Sequence, residues 1–511
     1  MHSDRDPLTI VGNGRLGLDY QVSKKTILGA VVTGYLRDWT MDAVTNSAIY
    51  RNSVTDTLIN ITTDELNRWK SFSTNLNLQH QFTSDEMLSV DLDYVYYNAQ
   101  NPIDYLTKYY DGSGKFLFDR QVKTDKTTPI IFYVGKSDYS KKINQKISVE
   151  AGVKAAYSTF TNDVMISNYV QGSWNKDESL SAKYKLKETV AAAYTAFNFT
   201  LDKKTTIKAG LRYEYTVSNL GSEKEQNIVD RKYGNLFPTF FASHKINDNN
   251  TLGIAYSRRI NRPTFTDMAP FLIFLDPNTF FSGNSKLQPS IADAFSTTYS
   301  YKRYSLSLSY SYEQDPIASF QNRVDSVNNK QTVGADNMDN MQTLSLTLSV
   351  PFQVSNWWVS QNSITGSWQR VELIYNKTPL SFEQKNYSIN STQTFNLAKN
   401  LSFEVSFLYL SPVLMGTSVW ETMWQLGLGA QKKLGTKGGT LRFNANNIFD
   451  TFKYNGYNNL PEQNLVTTFN MQFMPRYFSL TWTRSFGNDK LTGKRNHSGA
   501  SDDEKNRVRS D

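Results

Sequence analysis

The chain has 511 residues, no cysteine, a net charge of +8 and a mean hydropathy of -0.51, and 14% of its residues are aromatic. The lack of cysteine excludes disulfides and thiolate metal sites, and no apolar run approaches the roughly 18 residues of a membrane-spanning helix. The basic residues are scattered among acidic ones without a basic stripe or recognition motif, which argues against a nucleic-acid-binding protein.

The chain begins with MHSDRDPLTIVGNG, and a predicted strand follows with Leu16, Leu18, Tyr20 and Val22 at alternate positions. The opening residues lack a basic region followed by an apolar one, so they do not form a secretory signal peptide. An exported protein needs such a signal, so either export is the wrong interpretation or the chain lacks its natural beginning.

Alternation of apolar and polar residues recurs along the chain, most clearly over residues 207–215 and 304–312. Because successive side chains of a β-strand point to opposite faces, each such segment has one apolar and one polar face. Many long strands of this kind, with aromatic residues on the apolar side, are typical of an antiparallel transmembrane β-barrel with a wet interior. A soluble β-protein is disfavoured because it would expose rows of Leu, Val and Tyr.

Short turns and long polar stretches connect the predicted strands alternately, which is the asymmetry of outer-membrane barrels with short turns on the periplasmic side. We count about nine short turns and roughly nineteen strands. The short turns include residues 83–86, 202–204, 247–250, 354–356 and 398–400, and the long stretches include residues 46–67, 98–127, 162–181 and 263–290.

The last predicted strand, residues 477–486, should descend to the periplasm, and counting back places the first residue outside the cell. Single-chain bacterial barrels have even strand numbers, so we expect a barrel of about 22 strands that lacks its N-terminal ones. Residues 488–511 have almost nothing to bury and are predicted to be disordered. The predicted domains are a barrel over residues 1–487, N-terminally truncated, and a polar tail over residues 488–511.

Several segments resemble the Bacteroidota outer-membrane β-barrel proteins of the TonB-dependent receptor type. Residues 184–215 are similar to that family's Y-x-E-x-x-A-A-Y and G-L-R-Y-E hairpin, and residues 256–263 are similar to its RRI-x-RP segment. The departures are Ala269 where Asn is usual, Ser285 where Pro is usual and Asn447 for Asp. The remaining matches are Leu236-Phe237-Pro238, Pro270-Phe271, Gly283-Asn284, Leu287-Gln288-Pro289 and Asn447-Ile448-Phe449-Asp450.

The resemblance implies a receptor in the cell outer membrane that imports a scarce or bulky nutrient. It implies contact with outer-membrane lipid, an unknown extracellular ligand, a plug domain and an inner-membrane energy-transducing complex that remodels the plug. Such receptors carry a signal peptide, the plug and often a small β-sandwich before the barrel, and these are absent from the sequence. The alternative is a plugless channel or a structural barrel protein.

The sequence does not suggest an enzyme, because no nucleophile, base and orienting group are brought into an evident constellation. Of the four histidines, His2 and His497 lie in the termini, and His80 and His244 lie near short turns on separate strands. We assign no catalytic, cofactor-binding or metal-binding residues and expect no cofactor.

Two groups in and before the predicted 263–290 loop could bind a ligand. Arg258, Arg259 and Arg262 could clamp an anion, because guanidinium groups match carboxylates and phosphates, but we expect them to pair with acidic residues and hold the loop. Four phenylalanines could stack on a ligand, but packing within the loop or against a plug is the favoured interpretation. They are Phe271, Phe274, Phe280 and Phe281.

Large aromatic side chains elsewhere are expected in interfacial girdles or facing lipid, where amphipathic rings are favoured. A sugar-binding surface made by loop aromatics is the alternative. Lys24-Lys25 and Lys432-Lys433 are expected to be solvated turn charges. The aromatic residues in question are Tyr94, Tyr96, Trp357, Trp358, Trp420, Trp424 and Trp482.

Overall fold

The computed structural model describes residues 1–269, 273–274, 279–325, 330–375, 378–435, 438–460, 465–472, 474–485 and 499–508. This described part is almost entirely β-structure, as predicted, with two short helices, α1 (Phe265–Met268) and α2 (Asp502–Lys505). Neither helix in it is long and apolar enough to cross a membrane.

The described strands are numbered in chain order. The first fifteen are β1 (His2–Ser23), β2 (Thr26–Arg51), β3 (Val54–Thr83), β4 (Glu86–Gln100), β5 (Ile103–Asp111), β6 (Phe116–Lys142), β7 (Ile147–Val170), β8 (Ser173–Lys176), β9 (Ala182–Thr200), β10 (Thr205–Ser222), β11 (Val229–Asn247), β12 (Asn250–Asn261), β13 (Ile273–Phe274), β14 (Thr279–Phe281) and β15 (Ser290–Tyr301). The others are β16 (Tyr304–Gln314), β17 (Ile317–Asp325), β18 (Lys330–Asn337), β19 (Asn340–Ser349), β20 (Phe352–Ser355), β21 (Trp358–Tyr375), β22 (Thr378–Ala398), β23 (Leu401–Leu410), β24 (Val413–Met415), β25 (Ser418–Trp420), β26 (Met423–Lys433), β27 (Thr440–Asn446), β28 (Tyr454–Leu460), β29 (Leu465–Met471) and β30 (Tyr477–Thr483).

One antiparallel sheet of 22 strands forms the wall of the molecule. Three of its members, β5, β8 and β20, are side pieces that pair with the ends of longer strands. The other nineteen follow one another from β1 to β30, each paired antiparallel with the next, which confirms the predicted strand count. Among the described residues β1 pairs only with β2, and β30 only with β27.

Short turns join these strands at one end of the sheet, where the sequence predicts them. Asn247 stabilises one of them, because its Oδ1 accepts a hydrogen bond from the backbone N of Asn249 (3.0 Å). Asp202 does the same in another turn, accepting from the backbone N of Lys204 (2.7 Å). In the first turn, Lys25 Nζ donates to the carbonyl of Phe82 (2.7 Å), so this turn lysine bonds to the neighbouring hairpin.

At the opposite end, three of the predicted long loops are largely strand. Residues 46–67 contain the ends of β2 and β3, joined only by Asn52 and Ser53, whose φ angles are 50° and 63°. A two-residue hairpin turn needs positive φ at both central residues, and Asn adopts it readily. Residues 98–127 contain β5 and the start of β6, and residues 162–181 contain β8. The sequence predicts loops here, but Ile59, Ile61, Ile103 and Tyr105 of these segments form a buried apolar cluster on one face of the strands.

The loops of the later strands form separate small sheets. One has the order β13, β14, β18, β17, with β14 and β18 parallel, and the other has the order β24, β25, β28, β29. The loop pieces are joined by side chains, because Gln321 Oε1 accepts from Thr417 Oγ1 (2.8 Å) and Thr417 Oγ1 accepts from Asn458 Nδ2 (2.8 Å).

The predicted alternation sorts side chains to the two faces of the wall. On β10, Leu211, Tyr213 and Tyr215 are 46%, 47% and 42% exposed on the outward face, whereas Glu214 and Thr216 are buried on the inner face. The inner face carries an apolar core, because side chains of β4, β6, β7, β9 and β10 pack there against the segment after β12 and against the C-terminal residues. The barrel lumen is therefore partly filled by two segments of the chain itself.

Candidate functional site in the barrel lumen

Four strands place charged side chains on one stretch of the inner wall. Asp93 lies on β4, Lys154 on β7, Glu188 on β9 and Glu214 on β10, and each is at most 8% exposed. Their common face follows from register, since Lys154 is opposite Ala192 and Ala192 is opposite Glu214. Buried charges require partners, so this region is built to hold something of matching charge.

Arg262, the first residue after β12, meets this wall. Its Nη2 donates to Glu214 Oε2 (2.7 Å) and to Thr216 Oγ1 (3.1 Å), and Arg212 Nε donates to the other oxygen of Glu214 (2.6 Å). This pairing fixes the point at which the chain leaves the wall and turns inward. Arg262 therefore holds the following loop, as the sequence predicts.

Arg258 and Arg259 have other surroundings. Arg258 lies opposite Asp293 of β15, with its Nη1 3.7 Å from Asp293 Oδ2, and it too has an acidic partner. Arg259 is exposed on the strand. The three arginines do not converge on one point as an anion clamp.

Helix α1 begins the inward segment and packs on the wall. The Oγ1 of Thr264 caps it by accepting from the backbone N of Asp267 (3.1 Å). The ring of Phe265 lies 5.6 Å from the rings of both Phe132 and Phe160, and Met268 is buried beside it. Aromatic burial of this kind contributes strongly to packing, so the segment is anchored rather than loose.

The predicted loop phenylalanines are only partly described. Phe280 of β14 is 5% exposed, with Lys330 Nζ 5.7 Å from its ring centre, and Phe281 lies opposite Val333 of β18. This is packing within the loop sheet. Phe271 and the side chain of Phe274 lie outside the described residues.

The C-terminal residues 499–508 occupy the same part of the lumen. The backbone N of Ser501 donates to Asp93 Oδ2 (2.8 Å). Lys154 Nζ donates to Asp503 Oδ2 (2.7 Å) and to Glu504 Oε2 (3.1 Å). Helix α2 thus presents two carboxylates to a lysine that is 6% exposed.

Arg507 makes the second charged contact of this segment and joins it to the inward loop. Its Nη1 pairs with Glu188, its Nε donates to the carbonyl of Pro263 (3.1 Å), and its guanidinium lies 4.3 Å from the ring centre of Phe265. The backbone N of Phe265 also donates to the Arg507 carbonyl (3.2 Å). One side chain therefore bridges the wall and the loop.

Residues 499–508, which belong to the tail predicted to be disordered, lie against the inner wall in the structure. The prediction counted only apolar residues, and this segment has few, but its charges are matched by wall residues more than 300 positions away. A sequence signal did exist, since Ser501 and Glu504 have the spacing of a helix capping box and the first turn is acidic. Nothing in the strand patterns identified Lys154 or Glu188 as its partners.

The environment shifts both carboxyl groups of α2. Burial raises the pKa of Glu504 above its usual range, despite the neighbouring charge of Lys154. Burial also acts to raise the pKa of Asp503, but its hydrogen bond with Lys154 and that residue's charge outweigh it and lower the pKa.

The histidines near the short turns have local partners. A ring nitrogen of His80 is 2.9 Å from Thr26 Oγ1, and one of His244 is 2.9 Å from Thr205 Oγ1. His497 lies outside the described residues. No group of three or more His, Asp or Glu side chains suited to a metal ion occurs in the described part of the chain.

Most of the aromatic residues lie in the wall, as predicted. Trp358 stacks near Phe395 (5.5 Å) and Trp357 (6.2 Å) beside a short turn, which is a girdle position. Tyr94 pairs with Tyr133 (5.3 Å) on the outward face. Tyr96 is opposite Phe72 on that face, Trp424 lies near Phe407 and Phe449, and Trp482 is 56% exposed on β30.

Trp420 is the exception to the girdle prediction. It belongs to β25 of a small loop sheet, where its ring meets Tyr454 edge-on at 5.3 Å and Phe469 at 6.2 Å. The sequence around Trp420 did not indicate that its strand belongs to a loop sheet rather than to the wall. The same sheet has an open pocket of about 460 Å³ lined by Tyr457, Phe469 and several asparagines.

Comparison with known proteins agrees with this architecture. One similar solved structure is the ferric-catecholate import receptor Fiu from E. coli K12, with 10% identity and a TM-score of 0.55 over 89% of this chain and 77% of that one. The copper transporter OprC has 13% identity and a TM-score of 0.55 over 89% of this chain and 75% of that one. P. aeruginosa FpvA bound to heterologous pyoverdines has 12% identity and a TM-score of 0.53 over 93% of this chain and 70% of that one. At these identities the likeness shows the fold, which is that of outer-membrane receptor and transporter barrels. No curated protein matches the chain significantly.

The sequence match decides the family and, with it, the cellular location. Residues 80–483, which run from the end of β3 to the end of β30, match the outer membrane protein beta-barrel family. The match spans most of the wall and all of the inward loop. The outward rows of exposed Leu, Tyr and Phe are therefore the surface that faces outer-membrane lipid. The chain belongs to the outer membrane protein beta-barrel family.

Proposed function

We propose that the chain is the barrel portion of a TonB-dependent-type receptor that imports a scarce or bulky nutrient across the outer membrane. The outer loops capture the ligand, and the ligand passes through the lumen when an obstruction moves. The main observation that supports this proposal is the partly filled lumen. Helix α1 and residues 499–508 pack on its inner wall through buried apolar and charged contacts. A passive channel has no need of such internal packing.

The nature of the ligand is suggested by the similar structures. Their titles name a ferric catecholate, copper and iron-loaded pyoverdines as what those proteins import or bind. We therefore choose ferric chelates and copper as the first ligands to test. The pocket of about 460 Å³ on the β25 sheet, lined by aromatic side chains and asparagines, offers stacking and hydrogen-bonding groups for a polar organic ligand.

The proposed receptor needs a closed wall and a means of energy coupling. In lipid each unsatisfied backbone group costs several kcal/mol, so an edge strand needs a neighbour. In the proposed assembly, β1 and β30 pair with further strands, which gives a closed wall of about 22 strands. A plug domain and an inner-membrane energy-transducing complex would then supply coupling.

Uptake into cells tests the proposal. Cells that lack their own iron and copper receptors would express the chain, and accumulation of labelled ferric chelates and copper would be measured with and without a protonophore. Saturable accumulation that the protonophore abolishes supports an energised receptor. Accumulation that is linear in concentration and indifferent to the protonophore would establish the alternative, a passive channel. If the chain is present in the outer membrane but neither binds nor accumulates any of these ligands, the remaining interpretation is a structural barrel protein.

A further inference from the structure

We propose that the lumenal wall around Lys154 and Glu188 is a peptide-binding site whose occupant is the chain's own C-terminal segment, residues 499–508. The segment acts as a releasable latch, and its departure is the step that frees the lumen. The inference deepens the proposed function and rests on it only in assuming that the barrel encloses a pathway.

The two segments in the lumen are held differently. The inward loop is tied to the wall at both ends, by β12 and β15, and its Phe265 and Leu287 are each 1% exposed. Residues 499–508 are held mainly by hydrogen bonds of charged side chains, with Ala500 and Val508 touching the apolar core. These ion pairs are buried and salt screens them little, so their release requires a competing partner with the same pattern of charges rather than added salt. The C-terminal segment is therefore the part suited to leave.

The latch also secures the loop. Arg507 donates to the Pro263 carbonyl, lies on the Phe265 ring and pairs with Glu188 at once. If the segment leaves, the loop loses its contact with Glu188, although its apolar packing on Phe132 and Phe160 remains. Release of the segment thus loosens the loop without unfolding the wall.

The wall specifies the chemistry of its occupant. Lys154 donates hydrogen bonds to two neighbouring carboxylates, and Glu188 accepts one from a guanidinium three residues after the second of them. The ligand class is therefore a single helical turn with an acidic pair followed by arginine. An occupant with the opposite order of charges would leave Lys154 and Glu188, 6% and 5% exposed, against like charges. An added peptide of the same pattern should compete with the segment.

A single introduced cysteine reports on docking, because the chain has none of its own. Ser501 is 0% exposed and its hydroxyl has no hydrogen-bond partner, so Ser501→Cys loses no bond and is shielded while the segment is docked. Ser113→Cys, in an exposed turn, gives the reference rate. In the full chain in outer membranes, a bulky maleimide should modify position 501 at least tenfold more slowly than position 113. Equal rates would overturn the proposal.

Charge reversal tests the recognition itself. Glu188→Arg alone and Arg507→Glu alone should each raise the labelling rate of Ser501→Cys at least fivefold, because each places like charges together. The double variant, with the pair reversed, should restore most of the protection. A structural defect would not be repaired by a second reversal, so failure of the double variant to recover overturns the assignment. Heat-modifiable gel migration establishes that each variant is folded.

Conductance in planar bilayers tests the gate. Deletion of residues 499–511 should raise single-channel conductance at least threefold over the full chain, and an added peptide with the sequence of residues 499–508 should lower it again. Unchanged conductance after deletion would overturn the latch even if docking is confirmed. Loss of energised uptake in the unmodified chain bears on the proposed function alone, so the two failures are distinguishable.

Discussion

The early and late strands of this barrel differ in how far they extend beyond the membrane. β2, β3 and β6 have 26, 30 and 27 residues, whereas β12, β16 and β19 have 12, 11 and 10. About 9–11 residues are enough to cross a bilayer. The early strands therefore continue their ladders far beyond it, whereas β12, β15, β16 and β19 end near its surface and are followed by turns, loops and small separate sheets. The later strands β21 and β22, with 18 and 21 residues, are again longer.

The two parts of the wall contribute differently to the lumen. The tall wall, β2 to β11, carries the inner core and the charged residues Asp93, Lys154, Glu188 and Glu214. The low wall, β12 to β19, carries the loop that begins at Arg262 and enters the lumen. A ladder of backbone hydrogen bonds is stiff, while a loop on a short strand can be repositioned. The tall wall is thus the fixed surface, and the segments that dock on it are the adjustable ones.

The largest effect expected is in the core of the tall wall. Phe132 is 0% exposed and packs on Phe265, so Phe132→Ala should lower the free energy of unfolding by about 3–5 kcal/mol. The low-wall control is Phe295→Ala, whose ring is 51% exposed outward on β15 and should cost at most about 2 kcal/mol. Urea unfolding in detergent micelles, followed by gel mobility, measures both. Equal decreases in the free energy of unfolding for the two variants would mean that the two walls do not differ in packing.

Two arginines of β12 and its end compare a buried pair with an exposed one. Arg262→Ala leaves Glu214 buried with Arg212 alone and should destabilise by about 3 kcal/mol. Arg258→Ala removes a pair that is 3.7 Å apart and partly exposed, so it should cost about 0–1 kcal/mol. The same urea titration distinguishes them. If Arg258→Ala proved the more harmful, the loop would not be fixed at Arg262.

The docking of residues 499–508 should depend on pH in two directions. A raised pKa means that Glu504 binds a proton more tightly when docked, so its contribution is lost as pH rises through that value. The lowered pKa of Asp503 gives a contribution that is lost as pH falls. Protection of Ser501→Cys, relative to Ser113→Cys, should therefore increase on mild acidification and then decrease. Glu504→Gln should remove the increase in protection on mild acidification and keep the decrease in protection at lower pH.

The smallest effect expected is at the tip of the tallest hairpin. Ser53 has a φ of 63°, which glycine adopts without strain, so Ser53→Gly should stabilise the hairpin by about 0.5–1 kcal/mol. Ser53→Val should destabilise it by a similar amount or more. Rates of proteolytic cleavage at the tip in intact outer membranes report the change. Identical rates for the three chains would show that the tip does not limit opening of the tall wall.

Much of the fold was predictable, because local pattern determines it. Alternation at Leu211, Tyr213 and Tyr215 identified the outward face, and turn residues such as Asn247 located the short connections. The heights of the strands were not predictable, since above the membrane neither face has to be apolar throughout and the pattern that marks a strand weakens. The lumenal contacts were not predictable either, because Lys154 and Glu504 are 350 residues apart and nothing local relates them.

That separation has a consequence for assembly. Residues 499–508 follow every described strand in the chain, yet they bond to β4, β7 and β9 near its beginning. Contacts of such long range form late in folding, because the intervening chain must first be brought to order. The docking step thus reports on the wall as a whole, and a barrel with a misregistered β7 or β9 would not present its binding residues together. We expect residues 499–508 to dock only after the wall has formed, so that docking distinguishes barrels with a correctly registered wall from misfolded ones.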